Sequence, residues 1–318
     1  MKRNNDSLLL IDEDDEKHRI PVEQAEAIYS HGQIDINTRL SDFLNKKGVE
    51  IHMFGWNGQY AGSLIPKSGQ VSGETVVKQV GAYNDDLHRR QIASEIVHAS
   101  IDSLVSSLKY YQRNGENSYQ EQITKMNESI SKLHTSTAIN EIMGCEAEAR
   151  ASYYDVFREE IDNLDFKNRK YNPPQNEINA TISYLNSLLY ANCISAIRKT
   201  ALQPSVSYLH EPGERRYSLA LDIADLFKPL IVTRNTIRMF NRGQLTEDDF
   251  TDELNGVLLN DDGQESCNRE MEKQLDKTIE HRELNRHVSY HYLLQLESYK
   301  MKKHLIAREE YNAFRKWW

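Results

Sequence analysis

At 318 residues, with 39% hydrophobic and 27% charged residues, the chain has the composition of a soluble globular protein and the length of two domains. Its longest apolar runs are far shorter than the roughly 20 residues of a membrane span, and its start lacks the apolar region and cleavage site of a signal peptide. These features exclude a membrane protein and predict a cytoplasmic one without a membrane partner.

The net charge of −9 argues against nucleic-acid binding over the whole surface, because DNA-binding proteins usually show a basic footprint. The charge is unevenly spread, however. Residues 199–243 contain seven basic residues and four acids, whereas residues 244–262 contain seven acids and no base. We therefore expect a local basic surface inside an acidic protein.

The three cysteines, Cys145, Cys193 and Cys267, lie far apart and form no CxxC pair. This spacing excludes a cysteine-rich zinc module and argues against a disulfide framework. We expect buried, reduced thiols.

The chain up to residue 70 has the patterns of short strands. Segments 8–12, 18–22 and 25–30 are separated by charged stretches, and VEIHMF (49–54) alternates apolar and polar residues as a half-buried strand does. Asn57-Gly58 predicts a hairpin, and one helix is predicted over Thr38–Lys47 with Gly48 as its C-cap. We predict a β-rich, β-sandwich-like N-terminal domain over residues 1–70 and a linker at 66–75.

Helical periodicity dominates residues 71–318. In 89–111 and 119–133 apolar residues recur every three or four positions, and 178–197 and 270–308 are periodic as well. The first of these stripes consists of Ile92, Ile96, Ile101, Leu104 and Leu108. The fold class predicted for the chain is therefore α+β, with the β-rich domain followed by a larger all-helical domain.

The segment SLALDIADLFKP (218–229) combines an apolar helix face with two acids. We predict Ser218 as its N-cap and an interruption at Pro229. Asp222 and Asp225 are three residues apart, so they lie side by side on the flank of the apolar face, at its rim. Adjacent carboxylates repel each other and a divalent cation relieves that repulsion, but solvated acids that favour the helix dipole explain the same pattern.

Two further residues have chemistry that suits the same ion. His210 stands before the turn that leads into this helix, and a lone histidine there is more often a capping or packing residue than a ligand. Glu146 follows Gly144, which we expect to separate two helices, so that Glu146 would lie at a helix start. An acid at that position also serves the helix dipole, and the residues alone leave both interpretations open.

Four segments together resemble one family closely, the CRISPR-associated integrase that is the first of the two core adaptation proteins (the Cas-one family). The segments are MGCEAEARASYY (143–154), NEINATISYLNSLLY (176–190), YLHEP with the arginine pair and SLALDIADLFKPLIV (208–232), and YNAFRKWW (311–318), the last similar to type I-B members. Ala147 and Thr233 depart from the family pattern, which often has glycine and an acid there. The resemblance covers the whole chain.

The resemblance implies a metal-dependent DNA endonuclease and integrase. Its metal ligands fall on Glu146, His210 and Asp225, with Asp222 as the adjacent acid of the catalytic set. Two carboxylates and one imidazole suit Mg²⁺ or Mn²⁺. The implied reaction is attack by the 3′-OH of a captured DNA on a strand at the CRISPR repeat border, which inserts a new spacer by transesterification in antiviral defence.

The resemblance also implies partners. They are double-stranded DNA, a second copy of the chain bound through the β-rich domain, and the second core adaptation protein (the Cas-two family) in a hetero-hexamer. DNA phosphates require positive charge. The candidate DNA-binding residues form three groups. Arg215 and Arg216 lie in the turn beside His210, and Arg89 and Arg90 lie at the start of the first long helix. Arg234, Arg238 and Arg242 follow at spacings of four on one face of a later helix.

Two alternatives come from other functional classes. The chain could be a non-catalytic DNA-binding scaffold of the adaptation complex, or a helical iron oxygenase, although the latter usually needs two histidines and one carboxylate. His287 and His291 have a helical spacing of four that can bind metal, but packing is the simpler interpretation. The tandem Trp317-Trp318 could stack on bases or dock the end of the tail.

Overall fold

The computed structural model describes residues 1–4, 7–11, 16–66, 71–115, 117–161, 166, 169–170, 173–214, 216–253, 256–281 and 283–316. The chain forms two compact units, Met1–Val71 and Ser72–Trp318. Part of the predicted linker, residues 67–70, lies outside the described residues, as do Arg215 and the Trp317-Trp318 pair.

The first unit contains two three-stranded sheets and one helix. Strands β1 (Lys2–Asn4), β2 (Ser7–Ile11) and β3 (Lys17–Pro21) form an antiparallel sheet. In the second sheet, β5 (Glu50–Phe54) pairs in parallel with β4 (Ala27–Ser30) and antiparallel with β6 (Tyr60–Leu64). Parallel pairing requires a crossover, which contains α1 (Thr38–Lys47). The predicted hairpin and helix are both present.

Strand β5 is buried on both faces, which corrects the half-buried strand predicted from its alternating residues. Its polar residues Glu50 and His52 are buried, and His52 Nδ1 lies 2.6 Å from Ser63 Oγ of β6. Because β5 is the middle strand of its sheet, the neighbouring strand supplies a partner for His52, and the other ring nitrogen of His52, Nε2, lies 3.3 Å from Glu50.

The second unit is mainly helical. Its helices are α2 (Gly73–Asn84), α3 (Asp86–Asn114), α4 (Gln120–Leu133), α5 (Ile139–Tyr154), α6 (Phe157–Glu160), α7 (Glu177–Arg198), α8 (Ser218–Lys228), α9 (Arg234–Asn241), α10 (Asp261–Asp276) and α11 (Tyr290–Ala307). Helix α3 packs against α2, α4, α5 and α8, and α7 packs against α8, α10 and α11. Helix α8 is thus enclosed by other helices, and the apolar stripe predicted for α3 is buried.

The predicted fold class, a β-rich region followed by a larger helical one, is confirmed. The helical unit also contains two antiparallel hairpins that were not predicted, β7 (Phe250–Glu253) with β8 (Gly256–Leu259), and β9 (Thr278–His281) with β10 (Arg286–Ser289). The three cysteines are free and buried, as predicted. Among the described residues, no helix is long and apolar enough to cross a membrane.

Three local predictions in the helical unit need correction. Helix α5 runs unbroken through Gly144, so Gly144 does not separate two helices and Glu146 lies in the middle of α5. Ser218 is the first residue of α8 rather than its N-cap, and its hydroxyl donates to Ser205 O at 2.8 Å. At Pro229 the α-helix ends, as predicted, but the chain stays helical through a π-helical turn over Pro229–Thr233.

We predict that Gly48→Ala lowers the free energy of unfolding by about 1–2 kcal/mol. Gly48 ends α1 with φ +74°, a left-handed conformation that strains any residue with a Cβ atom. Urea denaturation of the full chain measures the change. Gly32→Ala is the matched control, because Gly32 has open space around its Cβ position and no positive φ, and an equal loss in both variants would contradict the prediction.

Candidate metal centre

The site is built around α8, which is buried on all sides. Asp222 is 0% exposed and Asp225 is 1% exposed, so both acids, predicted at the rim of the apolar face, are fully buried with it. Nine of the eleven residues of this helix are buried, which is typical of a helix in the centre of a helical domain. Because an ionised carboxylate removed from water is costly, each of these acids needs partners of its own.

The carboxylate of Asp222 is satisfied by the loop before α8. Its Oδ2 accepts from the backbone N–H groups of Tyr208 and Leu209 at 2.8 Å and 3.1 Å. Its Oδ1 accepts from the backbone N–H of His210 at 3.0 Å and from His210 Nδ1 at 2.8 Å. Asp222 therefore fixes both the path of the loop and the orientation of the imidazole.

The ring of His210 points its other nitrogen at Asp225. Because Nδ1 donates to Asp222, Nε2 is the nitrogen that can act as a ligand, and it lies 3.9 Å from Asp225 Oδ2. Burial lowers the pKa of His210, but its hydrogen bond to Asp222 and the charge of Asp225 outweigh that effect, and the net result is a raised pKa.

Glu146 reaches the same place from α5. Its Oε1 accepts from Arg150 Nε at 2.8 Å and lies 2.7 Å from Arg150 Nη2. The same Nη2 atom lies 2.8 Å from Asp225 Oδ1. Burial raises the pKa of Glu146, partly offset by the charge of Arg150. One guanidinium nitrogen thus joins the two carboxylates that the resemblance assigns as metal ligands.

A second cation also contacts Asp225. Lys228, one turn further along α8, places its Nζ 2.6 Å from Asp225 Oδ1. Burial alone would raise the pKa of Asp225, but the positive charges of Lys228, Arg150 and His210 outweigh it and hold the pKa well below its usual value. Asp225 therefore stays ionised in the folded protein.

The chemistry of these side chains fits Mg²⁺ or Mn²⁺. Two carboxylates and an imidazole nitrogen with a fixed orientation face one another, and the guanidinium of Arg150 already lies between the two carboxylates. Hard divalent cations prefer such oxygen-rich sets. Within the described ranges, no three histidine, cysteine or acidic side chains are already drawn together as a metal-binding group. Glu146, His210 and Asp225 are the residues that would hold the ion.

The arginines predicted to open the first long helix make contacts within the protein. Arg89 Nε donates to Tyr208 O at 3.0 Å, and its Nη2 pairs with Glu211 at 2.7 Å, while its guanidinium lies over the ring of Tyr83. It therefore braces two residues of the loop that carries His210. Arg90 donates to the backbone oxygens of Thr137 and Asp86.

The remaining candidate arginines differ in their surroundings. Arg216 donates to Glu211 O at 2.6 Å. On α9, Arg238 pairs with buried Glu270, and Arg234 lies 3.8 Å from the ring centre of Tyr110. Arg242 follows α9 as its C-cap and is exposed. The exposed position of Arg242 and the partial exposure of Arg234 make these two the better candidates for DNA contact.

His287 and His291 are not neighbours on one helix. His287 lies in β10 and His291 in α11, so the spacing of four does not bring them together as a helical pair. His291 Nε2 lies 2.7 Å from Asn192 Oδ1 of α7. This contact supports the packing interpretation for His291.

Sequence reasoning missed Arg150 and Lys228. Both have a signal in the sequence, because Glu146 and Arg150 are four residues apart and Asp225 and Lys228 are three apart, the spacings at which helical side chains meet. The role of a helix-start acid, one of the two interpretations of Glu146, belongs instead to Glu141, whose carboxylate accepts from the backbone N–H groups of Thr137 and Ala138.

The sequence pattern of the family described as CRISPR associated protein Cas1 matches residues 1–273. A Haloferax volcanii protein named CRISPR-associated endonuclease Cas1 is 46% identical over 302 residues, which cover 94% of this chain and 90% of that protein. The chain belongs to the Cas1 family. The resemblance to this family inferred from the sequence is confirmed, whereas the similarity to type I-B members stays a prediction.

Solved structures agree with this membership of the Cas1 family. A Cas1 protein from Thermotoga maritima has a TM-score of 0.86 at 33% identity, with 99% of this chain and 96% of that chain covered. A casposase bound to its integration product has a TM-score of 0.87 at 23% identity, with 99% of this chain and 90% of that chain covered, and so shares the fold.

We predict that Asp222→Asn destabilises the protein by about 2–4 kcal/mol. The backbone N–H groups of Tyr208 and Leu209 donate to the carboxylate, whereas the NH2 group of asparagine is itself a donor and cannot accept from them. Urea denaturation gives the free energy of unfolding, and hydrogen exchange at the amides of Tyr208 and Leu209 gives the local effect. Asp252→Asn, at an exposed position on β7, is the control. Unchanged exchange at both amides would contradict this role of Asp222.

Proposed function

We propose that the protein is a divalent-metal-dependent DNA endonuclease and integrase of CRISPR adaptation. The observation that carries the proposal is the convergence of Glu146, His210 and Asp225, which lie in three separate segments of the chain, with both carboxylates touching one nitrogen of Arg150. Membership of the Cas1 family and relatives named as endonucleases support the reaction class.

When bound, Mg²⁺ or Mn²⁺ would offset negative charge on a phosphodiester undergoing substitution. Glu146 and Asp225 would supply the charge that holds such an ion, and Nε2 of His210 would supply the third ligand. Asp222 acts through His210, because its carboxylate orients the imidazole and holds the loop in place. Arg89 supports the same loop from α3.

The reaction that we propose is a direct transesterification. The 3′-OH of a captured DNA attacks a phosphodiester at the repeat border, a new phosphodiester forms, and the original 3′-oxygen leaves. With water in place of the 3′-OH, the same exchange of bonds hydrolyses the strand. No covalent protein–DNA intermediate is required. Tyr153 is buried and fits poorly as a nucleophile.

The proposed partners follow from family membership. They are double-stranded DNA, a second copy of the chain bound through the β-rich unit, and the second core adaptation protein in a hetero-hexamer. DNA phosphates would meet Arg234 and Arg242, together with Arg216 near His210. Much of the predicted basic surface is engaged within the protein, so a few cations and the partners share the task of holding DNA.

We predict that Glu146→Ala and Asp225→Ala each lower strand transfer by on the order of a hundredfold or more, because each removes half of the anionic charge of the ion site. The measurement is a half-site integration assay with labelled DNA, Mn²⁺ and a repeat-bearing plasmid. Glu148→Ala is the matched control, since Glu148 is exposed on the same helix and pairs with Lys132.

Equal product from wild type and Glu146→Ala would sink the enzymatic assignment. It would favour the alternative, a DNA-binding scaffold whose metal site is not used. Circular dichroism and DNA binding of the variants should match wild type, so that a loss of product can be assigned to the site and not to the fold.

We predict that Arg234→Gln combined with Arg242→Gln weakens DNA binding. The slope of log affinity against log salt should become shallower by about one for each phosphate that the protein no longer neutralises. Binding is measured by fluorescence anisotropy at several salt concentrations. Arg269→Gln, an exposed position on α10 that pairs with Glu265, serves as the control. An unchanged slope would show that these arginines do not touch phosphates.

A further inference from the structure

One cationic side chain lies between the two acids of the candidate metal centre, and a second contacts one of them. Arg150 Nη2 lies within 2.8 Å of carboxylate oxygens of both Glu146 and Asp225, and Lys228 Nζ lies 2.6 Å from Asp225. The exposed fractions of these side chains are small, 20% for Arg150, 22% for Lys228 and 11% for Glu146. The cations therefore act in a site from which water is largely excluded.

The contacts of Arg150 are close but incomplete. Nε of Arg150 donates a hydrogen bond to Glu146, whereas Nη2, although within ion-pair distance of both acids, forms no aligned hydrogen bond with any described residue. A guanidinium is always charged and prefers a planar, two-pronged partner such as a carboxylate or a phosphate. Arg150 is thus held mainly by charge, and another cation can replace it at the carboxylates.

We propose that Arg150 is an internal counter-ion that competes with the divalent cation for Glu146 and Asp225 and is released to a phosphate of bound DNA. The proposal rests on the proposed function. Without a divalent ion, Arg150 keeps the two acids together and neutralised. When the ion takes the acids, Arg150 loses its partners, and a DNA phosphate is the anion that a metal-dependent nuclease brings to that place.

This arrangement couples the two ligands thermodynamically. A phosphate that pairs with Arg150 frees the carboxylates and so raises their affinity for the ion. By linkage, the bound ion frees Arg150 and raises the affinity for the phosphate equally. Arg150 is therefore a positioning residue that keeps metal affinity low until DNA is bound. Lys228 contacts Asp225 alone and contributes to the competition without bridging the acids.

The test measures Mn²⁺ binding to the full-length protein by the electron paramagnetic resonance signal of free Mn²⁺, with and without a DNA duplex. Without DNA, Arg150→Met should bind Mn²⁺ about tenfold or more tightly than wild type, because a positive charge beside the ion is gone. DNA should tighten Mn²⁺ binding in wild type by a clearly larger factor than in Arg150→Met. Arg150→Lys, which keeps the charge, should stay closer to wild type.

The controls separate this inference from the proposed function. Lys132→Met removes an exposed cation that pairs with Glu148 and should leave Mn²⁺ affinity unchanged. If Arg150→Met does not fold, Lys228→Met should show a rise in affinity of the same sign. Mn²⁺ binding that depends on Glu146 but does not tighten in Arg150→Met would overturn the inference alone. Binding unaffected by Glu146→Ala would overturn both.

Discussion

Three carboxylates, those of Glu146, Asp222 and Asp225, are buried near one another inside a helical unit, and their charge must be compensated without bulk water. The chain does this in two ways. Asp222 is compensated by backbone N–H groups and by the imidazole of His210, in a geometry that the main chain fixes. Glu146 and Asp225 are compensated by flexible cationic side chains. The first arrangement is permanent, whereas the second can be exchanged for another cation.

This constraint explains why the site lies on an enclosed helix of the unit. A helix that is buried on all sides cannot shift easily, and α8 is held further by Ser100, whose hydroxyl donates to Asp225 O at 3.1 Å. After α8 the π-helical turn that begins at Pro229 keeps the chain in the core. The C-terminal segment also packs on this helix, where Phe314 stacks on Phe227 with ring centres 4.9 Å apart. Such a rigid frame holds the orientation of His210 and the two acids.

The sequence was most informative where a pattern is local. The stripe of α3, the C-cap of α1 and the acids on α8 follow from spacing and turn chemistry, and the order of the two units follows from a change in period. It was less informative where a residue's role depends on distant neighbours. Glycine at 144 usually weakens a helix, yet α5 continues through it, because packing against α3 and α4 outweighs the local preference. Arg89 and Arg238 look like DNA contacts in the sequence, but their partners, Glu211 and Glu270, lie far along the chain.

The cost of burying these charges also bears on whether the site is catalytic. A buried charge network is seldom the most stable solution, since well-packed apolar residues of similar volume are often neutral or better for stability. A scaffold with no need of a cation would lose little if apolar residues replaced Glu146, Arg150 and Asp225. The chain instead keeps two acids on different helices facing one another, with an imidazole oriented towards them by a fourth, fully buried residue. Such a cost is understandable if the acids must meet a cation during the reaction, which favours an enzyme over a scaffold.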